Sequence, residues 1–132
     1  MRLTSSAVLL VLLALAGCGG EDSSFTEDYN HAVRPLARLG EVGSEPAAFE
    51  RLARSTERTR ANLAKLDAPE EAQEEFDALL ARLDDVTRDL GAVASAERSK
   101  DVVKQRRAAR RLVRSSNGVE RAETALKEAL EG

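Results

Sequence analysis

Phe49-Glu50-Arg51-Leu52-Ala53-Arg54-Ser55-Thr56-Glu57-Arg58-Thr59-Arg60-Ala61-Asn62-Leu63-Ala64-Lys65-Leu66 places its inward residues at Phe49, Leu52, Thr56, Thr59, Leu63 and Leu66, at intervals of 3, 4, 3, 4 and 3. That alternation is the seam of a helix packed in a bundle. A half-buried strand would alternate with period two instead, and no stretch of this chain does so. Two threonines in the middle of the seam admit two readings. Each hydroxyl bonds back to a carbonyl one turn earlier, or Thr56 and Thr59 line a polar mid-bundle pocket, which would make the protein a small-ligand receptor.

Further helices flank this one. Upstream, Ser44 is placed to cap it and Pro46 fits its first turn. Before that, Phe25, Tyr29, Ala32, Val33, Leu36 and Leu39 have helical spacing, with Gly40 as a stop and Pro35 predicting a kink. Downstream, Asp67-Ala68-Pro69-Glu70-Glu71 reads as a helix restart: a capping acid, a proline in the first turn, then carboxylates at the positive end of the dipole. This third helix carries Phe76, Leu79, Leu80, Leu83, Val86, Leu90 and Val93 on one face and is expected to end near Ala94. Ser95–Ser99 then connects, with a serine as the next cap. The fourth helix is expected from about Ser99 to Leu130, with Val102, Ala109, Leu112, Val113, Ser116, Val119, Ala122, Leu126 and Leu130 inward. Ser115-Ser116-Asn117-Gly118 predicts a bend or fraying point within it, because glycine costs about 1 kcal/mol relative to alanine there. Four helices on short connections predict an all-α, up-down-up-down four-helix bundle over residues 25–132. Heptad seams also pair between chains, as in a coiled coil, so a homodimer is compatible with the pattern.

The N-terminus has a different character. Met1-Arg2 and an apolar run from Ala7 to Ala16 lead to Leu15-Ala16-Gly17-Cys18. A positive start, about 10 apolar residues and a small-residue cut site describe a secretory signal peptide. The run is short of the roughly 20 apolar residues that span a bilayer. On Leu15-Ala16-Gly17-Cys18, a lipobox as it stands, the chain resembles bacterial lipoproteins. With its Ala-Pro-Glu-Glu restart and long last helix, it is similar to small helical lipoproteins of high-GC bacteria. The resemblance implies a cleaved signal peptide at 1–17, a palmitate-type acyl anchor on Cys18, a flexible tether over 18–24 and a place on the extracytoplasmic face of the cell membrane. It supplies no activity.

Removal of the leader takes away Arg2 alone among the charges, leaving 19 basic and 23 acidic residues, a balance that sets nucleic acid aside. With no Trp, no Ile, one Tyr and three Phe, the core must be built largely from Leu, Val and Ala. Catalytic constellations are missing from the pattern. His31 is the single histidine, with Glu27 and Asp28 one turn before it. A carboxylate-bridged dimetal bundle needs its Glu-x-x-His unit twice. The acids of the third helix run along an outer face rather than across a cleft. No cofactor, no metal and no enzyme activity are expected.

The strongest internal signal is basic. Lys100, Lys104, Arg107, Arg111 and Arg114 are spaced 4, 3, 4 and 3, flanked by Arg106 and Arg110. First among its readings is pairing within the chain, since the acid-rich third helix is the neighbour in sequence and exposed pairs at ~0–1 kcal/mol each would together select it. Attraction to anionic lipid, at roughly 1 kcal/mol per basic residue near the surface, is a second. Docking to an acidic envelope partner is the third.

Overall fold

A computed structural model describes residues 23–37 and 45–132, and these form four α-helices. They are α1 (Ser23–Ala37), α2 (Pro46–Leu63), α3 (Gln73–Ser99) and α4 (Val102–Glu131). A single 3-10 turn, Glu70–Ala72, leads into α3. Among the described residues there is no strand, and no helix is long and apolar enough to cross a membrane. The leader, Cys18 and the first residues of the expected tether lie outside the described residues, as do residues 38–44.

Contacts at the two ends establish the topology. At one end Phe25, early in α1, sets its ring edge-on against Phe76, early in α3, with centroids 5.3 Å apart. Tyr29 reaches Glu123, late in α4. At the other end Arg98, late in α3, pairs with Glu50, early in α2. The helices therefore run up, down, up, down, each packed on its neighbour in sequence. The inner faces of α3 and α4 supply most of the core: Leu79, Leu83, Val86, Leu90, Leu112 and Leu126 are essentially fully buried.

Local details depart from expectation at the helix ends. Helix α1 starts at Ser23, two residues early, and Pro35 sits in its last turn without interrupting it. Glu45, not Ser44, holds the N-cap position of α2, makes no side-chain cap, and is followed by Pro46. Ser44 is outside the described residues. Asp67 does not cap α3; Pro69 occupies the N-cap of the 3-10 turn instead. Helix α3 continues through Ser95–Ser99, the expected connection, because Ala96 still packs inward. The reversal falls at Lys100, which takes a left-handed conformation (φ 57°, ψ 18°). Asp101 then caps α4, its carboxylate accepting from the backbone N–H groups of Val103 (2.9 Å) and Lys104 (3.2 Å).

Helix α4 is continuous through Ser115–Gly118. The Ser115 hydroxyl donates to the carbonyls of Arg111 and Leu112, both at 3.1 Å, so it satisfies itself inside the helix. At Gly118 the aliphatic stem of Arg82 lies across the backbone, so that a Cβ there would meet Arg82 Cδ at 3.2 Å. Gly91 has no such neighbour: its missing Cβ points to open space.

Gly91→Ala should therefore stabilise the bundle by about 0.5–1 kcal/mol through helix propensity alone. In a domain of this size that raises Tm by several degrees, roughly 4–8 °C per kcal/mol. Thermal unfolding followed by circular dichroism reads this, and an unchanged or lowered Tm would show that the space at Gly91 is needed.

Candidate functional site

Helix α4 divides into two halves of different character. In its second half Val119, Glu123 and Leu126 face inward and are buried. Glu123 is only 3% exposed and its Oε2 accepts a hydrogen bond from the Tyr29 hydroxyl at 3.1 Å, while Oε1 has no partner among the described residues. Burial pushes the Glu123 carboxyl up to about 7; the Tyr29 hydrogen bond opposes this shift and the charge of Glu120 adds to it. Tyr29, also buried, is driven well above the usual phenol range, by desolvation first and the Glu123 charge second. This pair ties α1 to α4 across the bundle. Sequence reasoning missed it, although Glu123 is an acid in phase with the apolar stripe, spaced 4 and 3 from Val119 and Leu126.

The turn at Lys100 and the first half of α4 carry the basic stripe. Lys100, Lys104, Arg107, Arg111 and Arg114 are all exposed, as are Arg106 and Arg110. Among the described residues none of the seven forms an ion pair, which overturns the expected pairing with α3. The acids of α3 bond elsewhere: Asp84 lies 3.2 Å from Arg60 of α2, and Asp85 lies 3.1 Å from Arg82 and 3.4 Å from Arg88 within α3. Asp89 is also held by Arg88. The cause is register. Antiparallel packing from a turn at Lys100 sets the start of α4 beside the end of α3, where the side chains are Ala92, Ser95, Ala96 and Ser99. The α3 acids from Glu74 to Asp84 lie opposite the second half of α4, as Arg82 beside Gly118 shows. Asp89, level with Arg111, is held by Arg88 instead, and Glu97, beside the start of α4, forms no ion pair among the described residues.

Those four small side chains floor a shallow groove of about 290 Å³, and Lys104, Arg107 and Arg111 stand along its rim. Three valines are exposed in the same half: Val102 at 53%, Val103 at 65% and Val113 at 48%. Val102 and Val113 were expected inward. At about 100° per residue both lie more than about 100° round α4 from the buried line of Ala108, Leu112, Val119 and Leu126, outside its packed face.

The remaining candidates are quieter. Thr56 and Thr59 are buried, and the Thr56 hydroxyl donates to the Leu52 carbonyl at 2.8 Å, within its own helix. A second depression, bounded by Phe25, Asp28, Lys65, Leu66 and Pro69, lies at the far end of the bundle and does not include them. His31 is exposed on α1. Among the described residues no three His, Cys, Asp or Glu side chains gather as a metal-ligand set. No family model matches the chain, and no curated protein or solved structure matches it either.

Two measurements test this geometry. Because the folded Glu123 carboxyl titrates near 7 against an ordinary 4.5, the stability it carries is complete below about pH 4.5 and is lost as pH rises through 7, on the order of 3 kcal/mol in total. Glu123→Gln, neutral and isosteric, should match the wild type at acid pH, exceed it in Tm at pH 8, and flatten the slope between. An unaltered slope would mean that Glu123 is solvated. Arg107→Glu with Arg111→Glu should leave the unfolding free energy within about 0.5 kcal/mol of the wild type, since no partner in the fold is lost. A large drop would restore the intramolecular reading.

Proposed function

We propose that this chain is a lipid-anchored, extracytoplasmic module of the bacterial cell envelope. It binds an anionic partner through the first half of α4 and carries out no catalysis of its own. One observation supports the binding face above all: seven exposed cations crowd residues 100–114, and none of their side chains forms an ion pair among the described residues. Asp101, the only acid among residues 100–114, is spent on the helix cap. The anchor rests on the lipobox, with Cys18 the acylated residue and the membrane the first partner. An acidic envelope protein or anionic lipid supplies the second. A symmetric homodimer through this half of α4 is disfavoured, because a two-fold interface would set like charges against each other.

Two assays address the two parts. The wild-type protein should stay with the membrane through a high-salt wash, and Cys18→Ala should be released and left unprocessed. Retention and normal processing of Cys18→Ala would remove the anchor. Crosslinking in intact cells should capture contacts through residues 100–114 that disappear in the Arg107→Glu, Arg111→Glu variant. Crosslinks confined to α3 and α4 would mean that the stripe touches nothing outside the chain.

A further inference from the structure

The chain's charge is separated along its length, and the separation has a direction relative to its N-terminus. Where α1 begins, the exposed side chains Glu27, Asp28, Asp67, Glu70, Glu71 and Glu74, with Glu128 and Glu131 from the end of α4, make an acidic end, tempered by Lys65 and Lys127. At the opposite end lie the α3–α4 turn and the cationic half of α4, which is about 20 Å long on its own. A domain tethered through residues preceding Ser23 therefore has its acidic end next to its attachment point.

We propose that the bundle does not stand upright on its anchor but lies over, with the first half of α4 bound to the anionic bilayer that carries it. This inference rests on the lipid anchor proposed above and names the partner of the same basic face. Upright, the acidic end would face anionic headgroups and be repelled while the cations pointed into water. Lying over brings each basic residue within a Debye length of the surface, where it is worth about a factor of five in affinity. The tether permits it: Cys18 is five residues from Ser23, at most about 18 Å of chain.

The form of the surface favours lipid over a protein. Arg106, Arg107, Arg110 and Arg111 wrap around the outside of the helix instead of converging on a point. No aromatic side chain lies in residues 100–114 to anchor a partner, and the exposed apolar groups are three valines among the cations. Scattered cations suit a fluid array of headgroups, which arrange themselves to meet them. Val102 and Val103 project beside the α3–α4 turn between Lys100 and Lys104, placed to enter the headgroup layer as the lysines bind above it. Lys100 adds a local sign. It holds a left-handed conformation that glycine adopts without strain, so the turn carries a charge where backbone preference alone favours none.

The test uses the full lipidated chain, reconstituted in vesicles of phosphatidylcholine alone or mixed with phosphatidylglycerol. An environment-sensitive fluorophore is attached at Val103→Cys in one sample and at Glu74→Cys in another. On the mixed vesicles the label at position 103 should shift to the blue and lose most of its quenching by aqueous iodide, while the label at 74 stays fully quenched. High salt, or adding Arg107→Glu and Arg111→Glu, should abolish the protection. On phosphatidylcholine alone both labels should remain quenched. The wild-type chain is the control for the anchor. With Cys18 acylated it takes no thiol label and floats with phosphatidylcholine vesicles; a labelled chain that fails to float overturns the anchor itself. An anchored chain whose label at 103 is equally quenched on both vesicle types overturns the posture alone. If that label instead crosslinks in cells to an acidic protein, the partner is that protein and the lipid assignment is wrong.

Discussion

The reversal between α3 and α4 is the constraint on which the other features depend. Lys100 turns the chain with a single left-handed residue, and Asp101 restarts the helix at once by accepting two backbone N–H groups. Nothing lies between them to adjust the stagger of two helices of 27 and 30 residues. Their register follows from the turn, and the distribution of charge follows from the register. As built, Lys104, Arg107 and Arg111 border alanine and serine, while Asp84, Asp85 and Asp89 pair with Arg60, Arg82 and Arg88.

At the other end the bundle closes by a different device. Helix α1, at 15 residues the shortest of the four, is held by the buried side chains of Phe25, Tyr29, Val33 and Leu36 and by one buried hydrogen bond to Glu123. A neutral carboxyl satisfies that bond at lower desolvation cost than a carboxylate, which is why burial draws the Glu123 titration toward neutrality. Closure of α1 is thereby coupled to proton binding.

Much of this was legible in the sequence. The 3-4 spacing from Phe49 to Leu66 and the in-phase stripes around it specified four helices, their order and most of the core. Helix ends were less legible, for a physical reason: Ser44, Asp67 and Ser95–Ser99 all have cap chemistry, and which side chain caps is decided by where the packed face runs out. Ala96 packs inward, so α3 runs on through Ser95 to Ser99 and stops one residue before Lys100. Ser115–Gly118 looked weak by propensity, yet Ser115 bonds within its own helix and Arg82 covers Gly118, so packing overrode the local preference. For the proposed binding face, the stripe itself was visible, but its freedom from pairing was not. Composition shows that acids and bases are both abundant; only three-dimensional register shows that they do not meet.

That freedom separates the energetics of the stripe from those of the fold. Cations at i and i+4, such as Arg106 with Arg110 and Arg107 with Arg111, repel by a few tenths of a kcal/mol per pair. Exposed ion pairs with α3 would have returned little more than they cost in side-chain order. The bundle is therefore slightly less stable for carrying these residues, and its core, complete at Leu112, Val119 and Leu126, is indifferent to them. On the proposed function, a charge pattern that the fold neither needs nor neutralises is compensated from outside. Anionic groups do so at every one of the seven positions at once when they are laterally mobile, because no side chain then has to adopt a fixed geometry to be satisfied. A bilayer offers that arrangement to a surface with no pocket, no aromatic anchor and cations spread around more than one side of a helix. The same surface offers a folded protein little to grip.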